Sequence, residues 1–318
     1  MRLLAAPDKF RGTLTAREAA AAIAAGAVRA GWTADELPLA DGGEGTLDVL
    51  GGGNRRTTVT GPLGEAVDAA WRLEDDGTAL IEAALACGLS LAGGPERNDP
   101  LRATSRGVGE LVAAAIAEGV GRVLVMVGGV ASTDGGSGAS EALPTPLPVP
   151  VDVACDVEAR FLEAAEVFAP QKGATPEQVA ILRERLAKLE VPDLPGSGAA
   201  GGLAGGLAAA GARLIPGFDL VAAMLDFDEH LAEADLVVTG EGLVDATSCT
   251  GKVVGRVLER ASAARVETLV VAGNVAPESP IDAISLVDRY GPERALAEAA
   301  QGLTELVEEA LATRRNAP

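Results

Sequence analysis

Short apolar runs alternate along the chain with longer, Ala-rich stretches of helical periodicity. The runs end in Gly, Asp or Asn, and this alternation is typical of α/β proteins with parallel sheets. The pattern predicts buried strands at residues 3–6, 123–127, 151–154, 236–239 and 268–272. Because ligands of open parallel sheets bind at the carboxyl ends of strands, the polar, glycine-rich turns after these runs are where we expect the chemistry.

Helices are predicted at residues 15–29, 105–118, 175–189 and 252–263. Thr15 and Glu18 have the spacing of a capping box, and Thr175 is followed by Pro176 at the first helical position. Between the first two predicted helices, residues 57–91 have the pattern of short strands separated by turns, which predicts antiparallel pairing. The proline-rich residues 144–150 predict a connection.

Composition indicates an ordered protein that packs on small side chains. Its 318 residues favour two domains, and 48% hydrophobic with 23% charged residues excludes disordered and collagen-like chains. With 40 glycines and only 3% aromatic residues, packing relies on Ala, Val and Leu and on close backbone approaches.

The net charge of −20 argues against nucleic acid and anionic membranes as partners. A small anion remains compatible, because local cations outweigh distant charges screened over about 8–10 Å. The three cysteines form no CxxC pair, which argues against a disulfide framework or zinc site, and the single His230 disfavours histidine-dependent nucleophilic catalysis. Without a signal peptide or a long apolar run, we expect a cytoplasmic protein, monomeric or homodimeric.

Two turns near the N-terminus carry candidate chemistry. Asp8, Lys9 and Arg11 end the first strand, and such cations suit phosphoryl transfer, although a solvated turn with an N-cap is an equal alternative. In the second turn, Gly42 and Gly43 let a ligand approach the backbone. The neighbouring Asp41 and Glu44 suit a divalent cation or a sugar-like hydroxyl.

The glycine-rich loop at residues 128–138 follows the most apolar strand. Its amides and hydroxyls predict an anion nest, with Asp134 placed for a metal or a substrate hydroxyl. It matches neither a Walker loop nor GxGxxG. Gly251-Lys252 fails as a Walker motif too, because Ala246 and Val253 stand where Gly and Ser or Thr are needed.

The fourth candidate region holds two carboxylates and a lysine between a buried strand and a helix. Glu241, Asp245 and Lys252 are costly to bury unless they are paired, so this region is the best single candidate for the reacting centre. Gln171 and Lys172 place an amide and a cation ahead of a capped helix, although an ordinary turn is the better explanation of this segment taken alone.

Taken in order, these segments resemble the bacterial type I glycerate kinases. The resemblance runs from the first residues to about Asn274 and rests on these segments: Ala6-Pro7-Asp8-Lys9-Phe10-Arg11-Gly12, Ala40-Asp41-Gly42-Gly43-Glu44-Gly45-Thr46, Gly128-Gly129 with Asp134-Gly135-Gly136, Cys155-Asp156-Val157, Pro170-Gln171-Lys172-Gly173-Ala174, Gly198-Ala199-Ala200-Gly201-Gly202-Leu203, and Thr239-Gly240-Glu241-Gly242 with Asp245, Gly251 and Lys252.

The resemblance implies ATP-dependent phosphorylation of D-glycerate with Mg²⁺, 2-phosphoglycerate being favoured over 3-phosphoglycerate as the product. It also implies a Rossmann-like parallel α/β domain from residues 1–60 and 213–318, a second mixed α/β domain from residues 61–212, and an active site in the cleft between them. The alternatives are a kinase for another small hydroxy acid and a non-catalytic, two-domain anion sensor.

Roles for single residues complete this hypothesis. Asp245 is the expected proton acceptor; Lys9, Arg11 and Lys252 neutralise developing charge; and Arg11 or Lys172 pairs with the substrate carboxylate. The full expected sets are Asp8, Asp41, Gly42, Gly43, Gln171 and Lys172 for the substrate; Gly128, Gly129, Ser132, Thr133, Gly135, Gly136, Gly201 and Gly202 for the nucleotide; and Asp41, Asp134 and Glu241 for the metal.

The chain departs from the family pattern in three places. The segment between Asp134 and Cys155 is short, residues 158–163 have a helical pattern where an Asn-Pro pair is usual, and residues 246–250 replace a Gln-Thr pattern. The third difference lies in the predicted site and bears on the choice of substrate more than on the kinase chemistry.

Overall fold

Two β-sheets organise the chain in the computed structural model, which describes residues 1–249 and 252–315. The strands are β1 (Arg2–Ala5), β2 (Thr33–Glu36), β3 (Arg55–Thr60), β4 (Ala66–Leu73), β5 (Thr78–Glu82), β6 (Arg122–Met126), β7 (Val151–Ala154), β8 (Arg213–Ile215), β9 (Leu236–Val244), β10 (Glu267–Val275) and β11 (Ile284–Ser285). The helices are α1 (Ala16–Arg29), α2 (Thr46–Val49), α3 (Ala84–Cys87), α4 (Arg106–Ala117), α5 (Ser137–Ala142), α6 (Ala164–Phe168), α7 (Pro176–Leu186), α8 (Leu203–Ala209), α9 (Gly217–Met224), α10 (Phe227–Ala232), α11 (Val253–Ala264), α12 (Leu286–Tyr290), α13 (Pro292–Ala297) and α14 (Ala299–Arg315).

The first sheet has the order β11-β10-β9-β1-β2, and its strand pairs are parallel. Helix α1 packs against α14 on one face of this sheet. The two helices lie close together at Gly26, because a Cβ on this residue would lie 2.4 Å from the Thr304 carbonyl oxygen. The predicted capping box is present: Thr15 Oγ1 accepts from the Glu18 amide at 3.1 Å. The α/β class expected from the alternating pattern is confirmed.

Strand β9 is longer than predicted. The glycine-rich residues after position 239, expected to form a turn, continue the strand to Val244 and pair with β10. Gly240 lies opposite Val271, and a Cβ on Gly240 would lie 1.9 Å from the Val271 carbonyl oxygen. Gly240 therefore allows the backbones of β9 and β10 to lie close together. The sequence around Gly240 does not indicate this contact, because the partner strand is distant in the chain.

The second sheet has the order β3-β4-β5-β6-β7-β8. Strands β3, β4 and β5 pair antiparallel, as the turn-rich sequence predicted, and the remaining pairs are parallel. A hydrophobic cluster that includes Trp71, Ile81, Leu111 and Val125 fills this unit.

The chain divides into two compact units, residues 1–41 with 218–318 and residues 42–217. The expected boundaries at residues 60 and 213 differ from this division. Strand β3 pairs with β4, and β8 pairs with β7, so both segments belong to the second unit. None of the helices in the described part of the chain combines the length and apolarity needed to cross a membrane.

Candidate active site

A cluster of carboxylates and lysines lies in the first unit, where β1 and β9 end. Asp8 follows β1, is 8% exposed, and accepts a hydrogen bond from the Lys9 amide at 2.7 Å. Burial and the negative charges of Asp41 and Glu241 raise the pKa of Asp8 to about 7, against the opposing effect of Lys9. Asp8 can therefore exchange a proton near neutral pH.

Glu241 belongs to the same cluster. Burial raises the pKa of its carboxyl group, while the Ser248 hydroxyl and Lys252 act in the opposite direction. Its Oε1 is buried and has no hydrogen-bond partner among the described residues, whereas Oε2 lies 3.8 Å from Lys252 Nζ. One carboxylate oxygen of Glu241 thus remains available to a ligand.

Asp245 and Lys252 complete the cluster from the segment between β9 and α11. Asp245 Oδ1 lies 3.9 Å from Lys252 Nζ and accepts from the Thr247 hydroxyl at 2.6 Å and the Thr247 amide at 2.8 Å. These bonds lower the pKa of Asp245, so it is a persistent anion. Of the predicted motif, Thr250 and Gly251 lie outside the described residues.

The turn that carries Lys9 and Arg11 is held against β9. Phe10 is fully buried, and Gly242 brings the strand so close that a Cβ on it would lie 2.8 Å from the Arg11 amide nitrogen. The Arg11 side chain is exposed. The structure therefore gathers Asp8, Lys9, Asp41, Glu241, Asp245 and Lys252 into one cluster, with Arg11 on the adjoining turn.

In the second unit, the turn containing Gly42 and Gly43 lies beside the first half of the predicted nest. A Cβ on Gly128 would lie 2.5 Å from Gly43 Cα, so these two backbones touch. Gly128 is half-buried and Gly129 is exposed, which leaves both accessible to a ligand.

Glu82 holds that turn in place, a role that was not predicted from the sequence. Its two carboxylate oxygens accept from the amides of Gly45 and Leu47, each at 2.9 Å. Glu82 ends the buried strand β5 and is 3% exposed. An acidic residue at the end of an apolar run was the available signal.

The later glycines of the predicted anion nest, Gly135 and Gly136, pack against the loop that contains Gly201 and Gly202. Gly135, Gly136, Gly201 and Gly202 are buried, and a Cβ on Gly202 would lie 2.8 Å from Gly135 Cα. Each has a positive φ that favours glycine. These four glycines allow two loops to pack backbone against backbone, and their contact with a nucleotide stays a prediction.

Asp134, expected as a metal ligand, organises the loop around it. Its Oδ2 accepts from the Ser105 amide (2.9 Å), the Ser105 hydroxyl (2.8 Å) and the Gly138 amide (3.2 Å), and its Oδ1 accepts from the Gly136 amide (3.1 Å). These four bonds fix the start of α4 to the loop. They favour a structural role, and metal binding by Asp134 stays a prediction.

Lys172, expected to meet the substrate, is 4% exposed. Its Nζ donates to the Ser132 carbonyl at 2.5 Å, and burial lowers its pKa to about 8. Gln171 beside it is exposed. Ser132 and Thr133 are buried, and among the described residues neither hydroxyl has a hydrogen-bond partner. The buried ammonium group of Lys172 therefore stabilises the predicted anion nest by its hydrogen bond to the Ser132 carbonyl.

The described residues contain no group of three or more His, Cys, Asp or Glu side chains arranged to hold a metal. This is compatible with the expected Mg²⁺, which is usually held by one or two carboxylates together with waters and substrate phosphates.

Comparison with known proteins adds a second line of observation. The sequence profile of the Glycerate kinase family matches residues 3–148 and 144–314. The chain is 34% identical to glycerate 2-kinase of Escherichia coli K12 (92% of this chain, 88% of that protein) and 36% identical to glycerate kinase of Bacillus subtilis 168 (88% and 86%).

The chain is also similar to a solved structure whose name refers to a glycerate kinase. The chain superposes with a TM-score of 0.79 on a crystal structure from Salmonella typhimurium LT2 that carries the provisional name glycerate kinase 2. The two sequences are 33% identical, and the match covers 99% of this chain and 98% of the other.

Proposed function

Because the chain belongs to the glycerate kinase family, we propose that it transfers the terminal phosphoryl group of ATP to D-glycerate, with Mg²⁺ and with 2-phosphoglycerate as the favoured product. The kinase assignment follows from the family. The observation that supports the proposed chemistry most directly is the cluster of Asp8, Asp41, Glu241 and Lys252 in the first unit.

Asp8 is the carboxylate best suited to accept the hydroxyl proton. A general base works best when its pKa lies near the operating pH, and the pKa of Asp8 is about 7. Asp245, expected from the sequence to be the base, has a lowered pKa and lies 3.9 Å from Lys252. We therefore propose Asp8 as the base and Asp245 as the residue that orients Lys252.

Mg²⁺ fits the carboxylates of this cluster. Glu241 offers a buried oxygen without a hydrogen-bond partner, and Asp41 lies within electrostatic reach of both Glu241 and Asp8. Glu241 and Asp41 would hold the ion, and the bound ion would neutralise charge on the phosphates. Asp134 is left out of this set because four donors already occupy its carboxylate.

Cations complete the proposed site. Phosphoryl transfer depends mainly on positioning and charge stabilisation, which Lys9 and Lys252 supply. Arg11 is exposed and is the proposed partner of the glycerate carboxylate, whereas Lys172 is buried and bonded to Ser132. The expected location of the site in a cleft between the two domains stays a prediction.

A coupled assay of ADP release with D-glycerate tests the proposal. Wild-type protein should release ADP only when D-glycerate is present, and phosphorus NMR should identify 2-phosphoglycerate. Lys252→Ala should lower kcat by about a hundredfold or more, since it removes a cation that acts on the transferring group. Lys188→Ala, at an exposed lysine in the second unit, is the matched control and should keep wild-type turnover.

Two outcomes would count against the proposal. Wild-type turnover in Lys252→Ala would remove that residue from the mechanism. Binding of MgATP and D-glycerate without any ADP release would indicate a sensor rather than a kinase.

A further inference from the structure

Ser248 is a buried hydroxyl residue beside the carboxylate cluster, and the proposed function leaves it without a role. It lies in the short turn between β9 and α11 and is fully buried. Its Oγ accepts a hydrogen bond from the Asp245 amide at 3.0 Å, and its own amide donates to the Asp245 carbonyl at 3.1 Å. These two bonds fix Ser248 to the backbone of Asp245.

The hydroxyl hydrogen of Ser248 is directed to Glu241. Because the Asp245 amide already donates to the hydroxyl oxygen, the hydrogen points away from that amide, and the Glu241 side chain accepts it. Burial raises the pKa of Glu241, and the hydrogen bond from Ser248 is the largest of the effects that lower it. One hydroxyl group thus joins the backbone of Asp245 to the carboxyl group of Glu241.

Helix α11 supports the backbone of Ser248. Gly255 lies in the first turn of this helix, and a Cβ on it would lie 2.6 Å from the Ser248 carbonyl oxygen. Lys252 is the N-cap of the same helix, and its carbonyl accepts from the Arg256 amide at 3.1 Å. The backbones of Ser248 and Lys252 are therefore both held by the first turn of α11.

The ammonium group of Lys252 lies near both carboxylates that Ser248 joins. Its Nζ is 3.8 Å from Glu241 Oε2 and 3.9 Å from Asp245 Oδ1. Both distances are longer than a hydrogen bond, so neither carboxylate takes up the ammonium hydrogens. A carboxylate that is free to move would close on the ammonium group to about 2.7–2.9 Å. The hydrogen bond from Ser248 opposes this movement of Glu241.

We propose that Ser248 is a positioning residue whose hydroxyl keeps the Glu241 carboxylate from closing on Lys252, so that the ammonium group stays available to the transferring phosphoryl group. This inference rests on the proposed kinase function. The ammonium group acts on charge that develops in the transition state. Loss of the Ser248 hydroxyl should therefore lower kcat and leave substrate binding nearly unchanged.

Steady-state kinetics of Ser248→Ala test this role. Because a hydrogen bond to a charged group is lost, kcat should fall about tenfold or more, while the KM values for ATP and D-glycerate stay within about twofold of wild type. Ser285→Ala is the matched control. Ser285 is also buried and accepts from a backbone amide at 3.1 Å, but strand β10 separates it from Glu241. This control should lose comparable stability in urea and keep wild-type kcat.

A double-mutant cycle shows whether Ser248 acts on Glu241, and it requires no catalytic activity. Unfolding in urea at neutral pH is compared for wild type, Ser248→Ala, Glu241→Ala and the double variant. Side chains that are in contact have non-additive effects. The increase in the unfolding equilibrium constant caused by Ser248→Ala should be about fivefold smaller when Glu241 is already alanine.

The two proposals fail in different ways. Wild-type kcat in Ser248→Ala, an equal loss of kcat in Ser285→Ala, or a change confined to KM would overturn the positioning role. Additive effects in the unfolding cycle would overturn it whether or not the protein is a kinase. If the cycle shows coupling but the wild-type protein releases no ADP with D-glycerate, the proposed function is overturned and the link between Ser248 and Glu241 stands.

Discussion

Asp8 places an ionisable group where water is largely excluded. Its carboxyl group is buried beside Asp41 and Glu241, and both effects oppose ionisation. The unfolded chain ionises this group near pH 3.8, whereas the folded protein does so near pH 7. Because the folded state then binds more protons than the unfolded state, stability falls as pH rises between these values.

Asp8→Asn should therefore stabilise the protein more at pH 8 than at pH 5. The difference between the two stability gains should be roughly 3 kcal/mol, because the amide removes the cost of burying a charge. Urea unfolding at both pH values measures it. A gain that does not depend on pH would contradict the assignment, whereas loss of turnover in the same variant would agree with Asp8 as the base.

Lys172 is the corresponding buried cation in the second unit. Burial lowers its pKa from 10.5 to about 8, so the folded state releases this proton earlier than the unfolded state as pH rises. The cost of the buried charge is fully present below pH 8 and is relieved between pH 8 and 10.5.

The stability of wild type relative to Lys172→Met should consequently rise by roughly 2 kcal/mol from pH 7 to pH 10. Unfolding in urea at these two pH values, with Lys188→Met as the exposed control, provides the measurement. Parallel pH dependence in all three proteins would show that Lys172 carries no such cost.

The positions of these side chains show what could be predicted from residue types. Asp8, Asp41 and Glu241 were selected because each follows an apolar run, and strand ends meet at one sheet edge. Lys252 was selected because it lies with two carboxylates between a buried strand and a helix. The hydrogen bonds from Ser105 to Asp134 could not be predicted. A carboxylate beside glycines can bind a metal ion or accept hydrogen bonds that order a loop, and the sequence favours neither.

Strand β9 shows how the needs of a neighbouring element decide local structure. Its glycines suggested a turn, but Gly240 is the residue that lets β9 lie against Val271 of β10. Helix α1 was predicted well, because its capping box at Thr15 is a local signal. Strand pairing depends on a distant partner, and for this reason the ends of β9 and the membership of β3 were predicted poorly.

Gly240→Ala should destabilise the protein by about 3 kcal/mol, because a Cβ 1.9 Å from a backbone oxygen forces two central strands apart. Gly121→Ala is the control: a Cβ at Gly121 meets nothing within 4 Å, and the effect should stay within about 0.5 kcal/mol. Denaturant midpoints compare the two variants. Equal midpoints would mean that the strands adjust freely.

The two units differ in how the chain builds them. The second is continuous from residue 42 to 217 and has its own six-stranded sheet and hydrophobic cluster. The first joins residues 1–41 to 218–318. The boundaries expected from sequence, 61–212, would leave β3 and β8 outside the second sheet.

A fragment of residues 42–217 should accordingly unfold in a single cooperative transition, because it retains its whole sheet and core. A fragment of residues 61–212 lacks both edge strands and should be less stable or fail to fold. Circular dichroism during urea titration distinguishes them. Equal stability of the two fragments would refute the observed boundaries as folding boundaries.

Strand β1 lies between β2 and β9 in the first sheet, although β1 ends at Ala5 and β9 begins only at Leu236. During translation, β1 therefore keeps one edge unpaired until the segment that forms β9 has emerged from the ribosome. Premature termination anywhere before β9 would release a product whose exposed β1 edge is open to aggregation.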